Sequence, residues 1–145
     1  MMSPLTNEQI ETLRTSFRAL AARGDEMAGQ FYLRLFARQP SLRAVLPRDE
    51  WQRNRDLLTG LGMVVKNLHR LGAVEHLLME FGAKAARAGV TPQQYGVARE
   101  SMLDAMRGVA GSAWTEELEE GWGTALNTAA SVVLLGAGRS RARAA

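Results

Sequence analysis

Residues 83–95 read AKAARAGVTPQQY. The second half is a helix start. Thr91 can cap it, Pro92 suits a first helical position whose amide needs no partner, and Gln94 can bond back to the cap. The first half is the end of another helix, stopped at Ala88-Gly89, where glycine permits a left-handed exit. Two helices meeting at a tight corner define the periodicity to follow on each side. Upstream, from about Ala73 to Arg87, Val74, Leu77, Leu78, Phe81 and Ala85 recur at helical spacing and predict one inward face. Downstream, Tyr95, Ala98, Met102, Ala105, Met106 and Val109 do the same, until Gly108 and Gly111 end the run.

The same pattern extends outward in both directions. Thr6 and Gln9 form a capping box before Ile10, Leu13, Phe17, Leu20 and Ala21. Gly24-Asp25 breaks that helix. A second, beginning near Asp25, carries Met27, Ala28, Phe31, Leu35 and Phe36. Pro40 ends it and starts the short turn PSLRAVL, and Pro47 opens a loop. Asp49 caps a helix with Leu57, Leu58, Leu61, Val64, Val65 and Leu68 inside. Thr115 caps the last helix, whose first turns hold Glu116, Glu117, Glu119 and Glu120, acids favoured there by the helix dipole. Its inner face is Trp122, Ala125, Leu126, Ala129, Val132 and Val133. Nothing reads as a strand, so the expectation is an all-α domain of about seven helices.

Composition bounds the rest. The chain has 145 residues, 46% of them apolar, enough for one domain with one core. It has no cysteine. That excludes a disulfide framework, thiolate metal sites, a nucleophilic thiol and a thioether-linked chromophore. Net charge is +3. Without Arg139, Arg141 and Arg143 the 18 basic residues fall to 15, matching the 15 acids, so the body is neutral. Residues 1–136 are therefore read as the domain and 137–145 as a basic, disordered, solvated tail. No basic face with interleaved aromatics points to nucleic acid. The start MMSPLTNEQ lacks a leader pattern and no apolar run is long enough for a membrane span, so the cytoplasm is the expected compartment.

Four phrases at matching spacing carry a resemblance: QFYLRLFARQPSLRAVLP, RNRDLLTGLGMVVKNL, AGVTPQQYGVARESMLDAM and WTEELEEGWGTALNTAASVV. In this order, from about Leu5 to Leu135, they resemble the globin family, specifically bacterial single-domain haemoglobins and the globin domain of flavohaemoglobins. The chain is expected to lack the flavin- and NAD-binding reductase module of the latter, and with it a source of electrons. The resemblance implies a haem held by one proximal histidine, at a position occupied here by Ala85. A methyl group has no lone pair to give iron. The phenylalanine that the family packs against the haem is Leu46. The glutamate that polarises the proximal histidine through a tyrosine falls at Ala137, while the tyrosine remains as Tyr95. On the distal side, Tyr32 matches the tyrosine that bonds bound oxygen. Arg53 stands where glutamine or histidine is usual, with Leu57 one turn later. Met102 faces the same space. Without iron, Tyr32 reads as a half-buried core tyrosine with a satisfied hydroxyl, and Arg53 as a solvated helix residue.

Substitute ligands are scarce. His76 lies nine residues before Ala85, roughly 13 Å and half a revolution away on a continuous helix. His69 is further still, and the i, i+4 pair of a zinc site is missing. Tyrosine can be an axial ligand, which leaves Tyr95 or Tyr32 for an alternative reading with haem b that handles oxygen or nitric oxide. An empty haem-sized space of several hundred Å³ would cost on the order of 10 kcal/mol at ~24 cal/mol per Å³. That rivals the stability of a whole domain. Either Met63, Met79, Met102 and Met106 close in, with Trp51 at the mouth, or an apolar molecule fills the space. Some haem-free members of the superfamily that this resemblance points to serve as sensory or scaffolding domains. Phosphate loops, nucleophile–base arrangements and a carboxylate pair are all missing. The expectation is thus a haem-free, non-enzymatic sensor or interaction domain without a metal. Its partner would be a protein or a small apolar ligand, and analogy with globins that pair through their last two long helices allows a homodimer.

Overall fold

In a computed structural model that describes the backbone of residues 5–144 and the side chains of residues 5–139, Thr6 begins the first helix as its spacing to Gln9 requires. Its hydroxyl accepts from the Gln9 amide at 3.1 Å and its own amide donates to the Gln9 side chain at 2.8 Å. The helices are α1 (Asn7–Ala22), α2 (Gly24–Arg38), α3 (Glu50–Lys66), α4 (Glu75–Ala88), α5 (Pro92–Ala110) and α6 (Glu116–Ala144). Short 3₁₀ turns at Pro40–Ala44, Leu71–Val74 and Gly111–Ala113 complete the set, and no strand occurs among the described residues. The caps fall where the sequence puts them. Asp49 accepts from the Trp51 amide at 3.1 Å, and Thr115 from the Leu118 amide at 3.2 Å. The Thr91 amide donates to the Gln94 side chain at 2.9 Å. Gly89 ends α4 at φ 108°, a conformation that suits glycine alone.

One continuous core joins these helices. Trp122 is fully buried, and its indole N–H donates to the Ser16 hydroxyl at 3.1 Å, joining α6 to α1. Helix α2 packs on α5. A polar chain runs beside that contact. Arg38 donates to Ser101 at 3.0 Å and Asp104 at 2.5 Å, Arg107 bridges Asp104 and Glu119, and the Trp114 indole donates to Glu119 at 3.0 Å. Among the described residues no helix is long and apolar enough to cross a membrane.

Helix α4 departs from the sequence expectation in two ways. First, it lies along α6 with its Leu78–Gly82 side inward. The contact is reciprocal: a Cβ added at Gly82 would collide with the Val133 carbonyl, and one at Gly136 with the Met79 carbonyl. Bare backbone on both sides lets the two helices approach closely. That contact turns the next stripe outward, so Leu77 and Phe81, expected inside, are 51% and 60% exposed. Second, Ala137, expected to begin a solvated tail, is fully buried, and α6 continues through Ala144. The boundary after residue 136 therefore cuts a helix, because Gly136 and Ala137 are small enough to seat α4 and the chain must stay helical to present them. The start of the segment read for a leader (residues 1–4), residue 145 and the side chains of Arg141 and Arg143 lie outside the described residues.

Candidate functional site

Two consecutive turns of α2 build the centre of the site. Phe31, Tyr32 and Phe36 form a ring cluster, with Tyr32 edge-on to Phe31 at 4.9 Å and stacked on Phe36 at 5.7 Å. Arg53, on α3, closes it. Its guanidinium lies 5.4 Å from both the Tyr32 and Phe36 ring centres. Its Nη1 donates to the carbonyls of Pro47 and Arg48 at 2.9 and 3.0 Å. The Tyr32 hydroxyl donates in turn to the Arg53 carbonyl at 3.1 Å. On Phe36 sits a second guanidinium, Arg43, at 4.6 Å.

Arg53 is therefore not the solvated helix residue that its spacing predicts. The loop after the Pro40–Ala44 turn offers it two carbonyl acceptors, and the rings offer it a π face. It fastens the loop between α2 and α3 over the aromatic cluster. Burial pushes the Tyr32 phenol up to about 12, an effect that the neighbouring Arg53 charge offsets only in part. Tyr32 is consequently a neutral donor at ordinary pH, with its proton already placed.

The other candidate residues come from the loop before α3 and from α3, α4 and α5. Leu46 and Leu57 are half-buried and pack on the core, and Met102 is inside it. Ala85 is half-buried near the end of α4, its carbonyl receiving the amides of Gly89 and Val90. Tyr95 is half-buried, packs on the core and borders a groove between α5 and α6 with Arg99, Asn127 and Ser131. Sequence reasoning placed Phe36 on the inner face but missed its stacking with Tyr32 and the two arginines, and it missed Arg43 and the Gly82–Gly136 seat. Gly82 did carry a signal: glycine inside a helix costs about 1 kcal/mol relative to alanine, so its presence calls for a packing reason.

A porphyrin iron is poorly served by this donor set. Ala85 has no lone pair, and the Tyr32 phenol is protonated and engaged. His76 is 86% exposed and lies 3.4 Å from Glu80, while His69 Nδ1 meets the Arg14 guanidinium at 3.1 Å. Among the described residues no group of three histidine or carboxylate side chains could hold a metal.

The Globin family profile matches residues 29–133, well over half of the chain, and the chain belongs to the globin family. It is 26% identical over 122 residues to a flavohemoprotein of Bacillus subtilis, covering 81% of this chain and 30% of that one. To a flavohemoprotein of Halalkalibacterium halodurans it is 24% identical over 133 residues, covering 90% and 32%. The chain thus spans about a third of the length of these curated relatives. Among solved structures it resembles a bacterial globin from Campylobacter jejuni, with a TM-score of 0.81, 18% identity and coverage of 92% and 97%. It also resembles a hexacoordinated haem protein from an anhydrobiotic tardigrade, with a TM-score of 0.83, 15% identity and coverage of 92% and 96%. At these identities the structural likeness carries the fold.

Proposed function

We propose that the protein is a haem-free globin acting as a non-enzymatic sensor or interaction module. The observation behind this reading is the chemistry available to an iron at the site. Where the resemblance assigns the axial ligand stands Ala85, and the nearest distal oxygen, on Tyr32, holds its proton against the Arg53 carbonyl. Neutral phenol is a weak ligand, and converting it to phenolate would cost the hydrogen bond as well as the proton. Both histidines are surface residues held by other partners. What remains is a helical frame that recognises either a small apolar molecule in the ancestral pocket or a protein on its surface.

Absorbance of the purified protein tests the proposal. The expected spectrum has no Soret band and no stoichiometric iron, and added haem leaves helicity and thermal stability unchanged. Ala85→His together with Leu46→Phe is expected to raise haem affinity above that of the wild type. A wild type that takes up haem as tightly as this variant establishes the haem b reading instead and refutes the proposal.

A further inference from the structure

The groove that Tyr95 borders lies open between α5 and α6 and holds about 320 Å³. The two helices run antiparallel, since Arg107 meets Glu119 while Arg99 reaches α6 at Gly123. Arg99 and Asn127 therefore stand at one end of the groove, and Pro92 and Leu134 at the other, about 10 Å along the helix. The floor between them is shallow. A Cβ added on Gly96 would meet nothing within 4 Å, and Ala130 on the facing helix is also small. Ser131 gives its hydroxyl proton to the Asn127 carbonyl at 2.9 Å. The lining thus passes from cationic and polar at one end to apolar at the other.

The Arg99 guanidinium is only partly used. Its Nη1 donates to Glu100, whose side chain is 60% exposed, and an ion pair in that setting contributes little. Glu119, the other carboxylate that acts on Arg99, is bonded to Arg107. On the opposite edge, Nε is buried and has no acceptor among the described residues. Nη2 lies beside Gly123, where an added Cβ would come within 3.1 Å. A buried N–H calls for an acceptor. The Nε–Nη2 edge is a fork that fits the two oxygens of a carboxylate, and the Asn127 amide brings further N–H donors to the same end.

We infer that this groove binds a small amphipathic monocarboxylate, with its carboxylate on Arg99 and Asn127 and its apolar body running past Gly96 and Tyr95 toward Leu134. The volume is at the low end of the range for small-molecule sites. A body of about 10 Å suits an arylalkyl or a medium-chain acid. The groove is built from other helices than the Tyr32–Arg53 cluster, so the inference stands whether or not the protein takes up haem.

Backbone amide NMR of the full chain tests it, with 3-phenylpropanoate and octanoate each titrated to about 10 mM. Both acids are expected to shift residues 92–99 and 127–134, with dissociation constants on the order of 0.1–1 mM, and the tighter one identifies the body as aryl or alkyl. The uncharged 3-phenylpropan-1-ol should bind at least ~10-fold more weakly than its acid, and Arg99→Met should weaken both acids by a similar factor. Glu100→Gln should tighten binding about two-fold, because it removes a competing carboxylate. Gly96→Leu should abolish binding with helicity unchanged, since its new side chain starts in open space. Three results each overturn the inference: no shift of groove residues with either acid, an alcohol that binds as well as its acid, or an unchanged affinity in Gly96→Leu. Shifts centred on Tyr32 and Leu57 put the ligand in the ancestral pocket and overturn it too.

Discussion

Replacing Gly82 with alanine decides whether the α4–α6 seat organises the proximal half of the protein. By helix propensity alone the change should stabilise α4 by about 1 kcal/mol. At Gly60 in α3 and Gly96 in α5, where an added Cβ meets nothing within 4 Å, that gain is the whole effect, so both alanine variants should be stabilised by about 0.5–1 kcal/mol. At Gly82 the new methyl would collide with the Val133 carbonyl, a backbone atom of a packed helix that cannot rotate away. Helix α4 must then move off α6, opening the reciprocal contact at Gly136 as well. Overpacking of this kind costs about 1–3 kcal/mol and the lost contacts add to it, so the net effect is a destabilisation of about 1–3 kcal/mol after the propensity gain. The single domain should unfold in two states, so urea titration followed by helical circular dichroism measures each difference. Thermal midpoints should move by roughly 2–4 °C per kcal/mol. The sign carries the test. If Gly82→Ala stabilises the protein as Gly60→Ala does, the close approach of α4 and α6 is not a constraint on the fold.

Two titrations test the polar contacts. Arginine partners hold the carboxyls of Asp104 and Glu119 below their ordinary values, so the unfolded chain binds protons first as pH falls. The stability they contribute is complete above the ordinary carboxylate pKa and is lost as pH drops through the lower folded values. Asp104→Asn should flatten the urea midpoint across that acid range while lowering it at pH 7. The raised Tyr32 phenol works in the opposite direction: its contribution is complete below pH 10 and disappears toward about 12, where absorbance of tyrosinate should appear together with unfolding. Tyr32→Phe should remove that alkaline loss, measured as urea midpoints from pH 9 to 12.

The fold was legible because its signals are local. Thr6 with Gln9, Asp49, Thr91 with Gln94, and Thr115 each mark a helix start through a side chain that reaches no further than the next turn. Periodicity then marks the inward face wherever one broad face is buried, as in α2 and α5. In α4 that inference fails. The apolar pattern of Leu77 and Phe81 is as regular as that of Leu78, and the deciding residue is a glycine with no side chain to contribute to a pattern. Arg53 was misread for a related reason. Its acceptors are backbone carbonyls of Pro47 and Arg48, and carbonyls are invisible in a residue string.

On the haem-free reading proposed above, Ala85 and Ala137 form a physical set. A proximal helix that holds iron faces two demands: it must present its ligand inward and keep room behind for the group that polarises it. On that reading, alanine at 85 would remove the first demand and alanine at 137 the second. In the structure α6 presents Gly136 and the buried Ala137 to α4, and Gly82 lets α4 settle against them. Introducing a carboxylate alone, by Ala137→Glu, would place a charge in a fully covered part of α6, with alanine rather than histidine at position 85. A buried unpaired carboxylate would protonate or force the helices apart. Restoring the carboxylate singly therefore runs against the packing of α4 on α6.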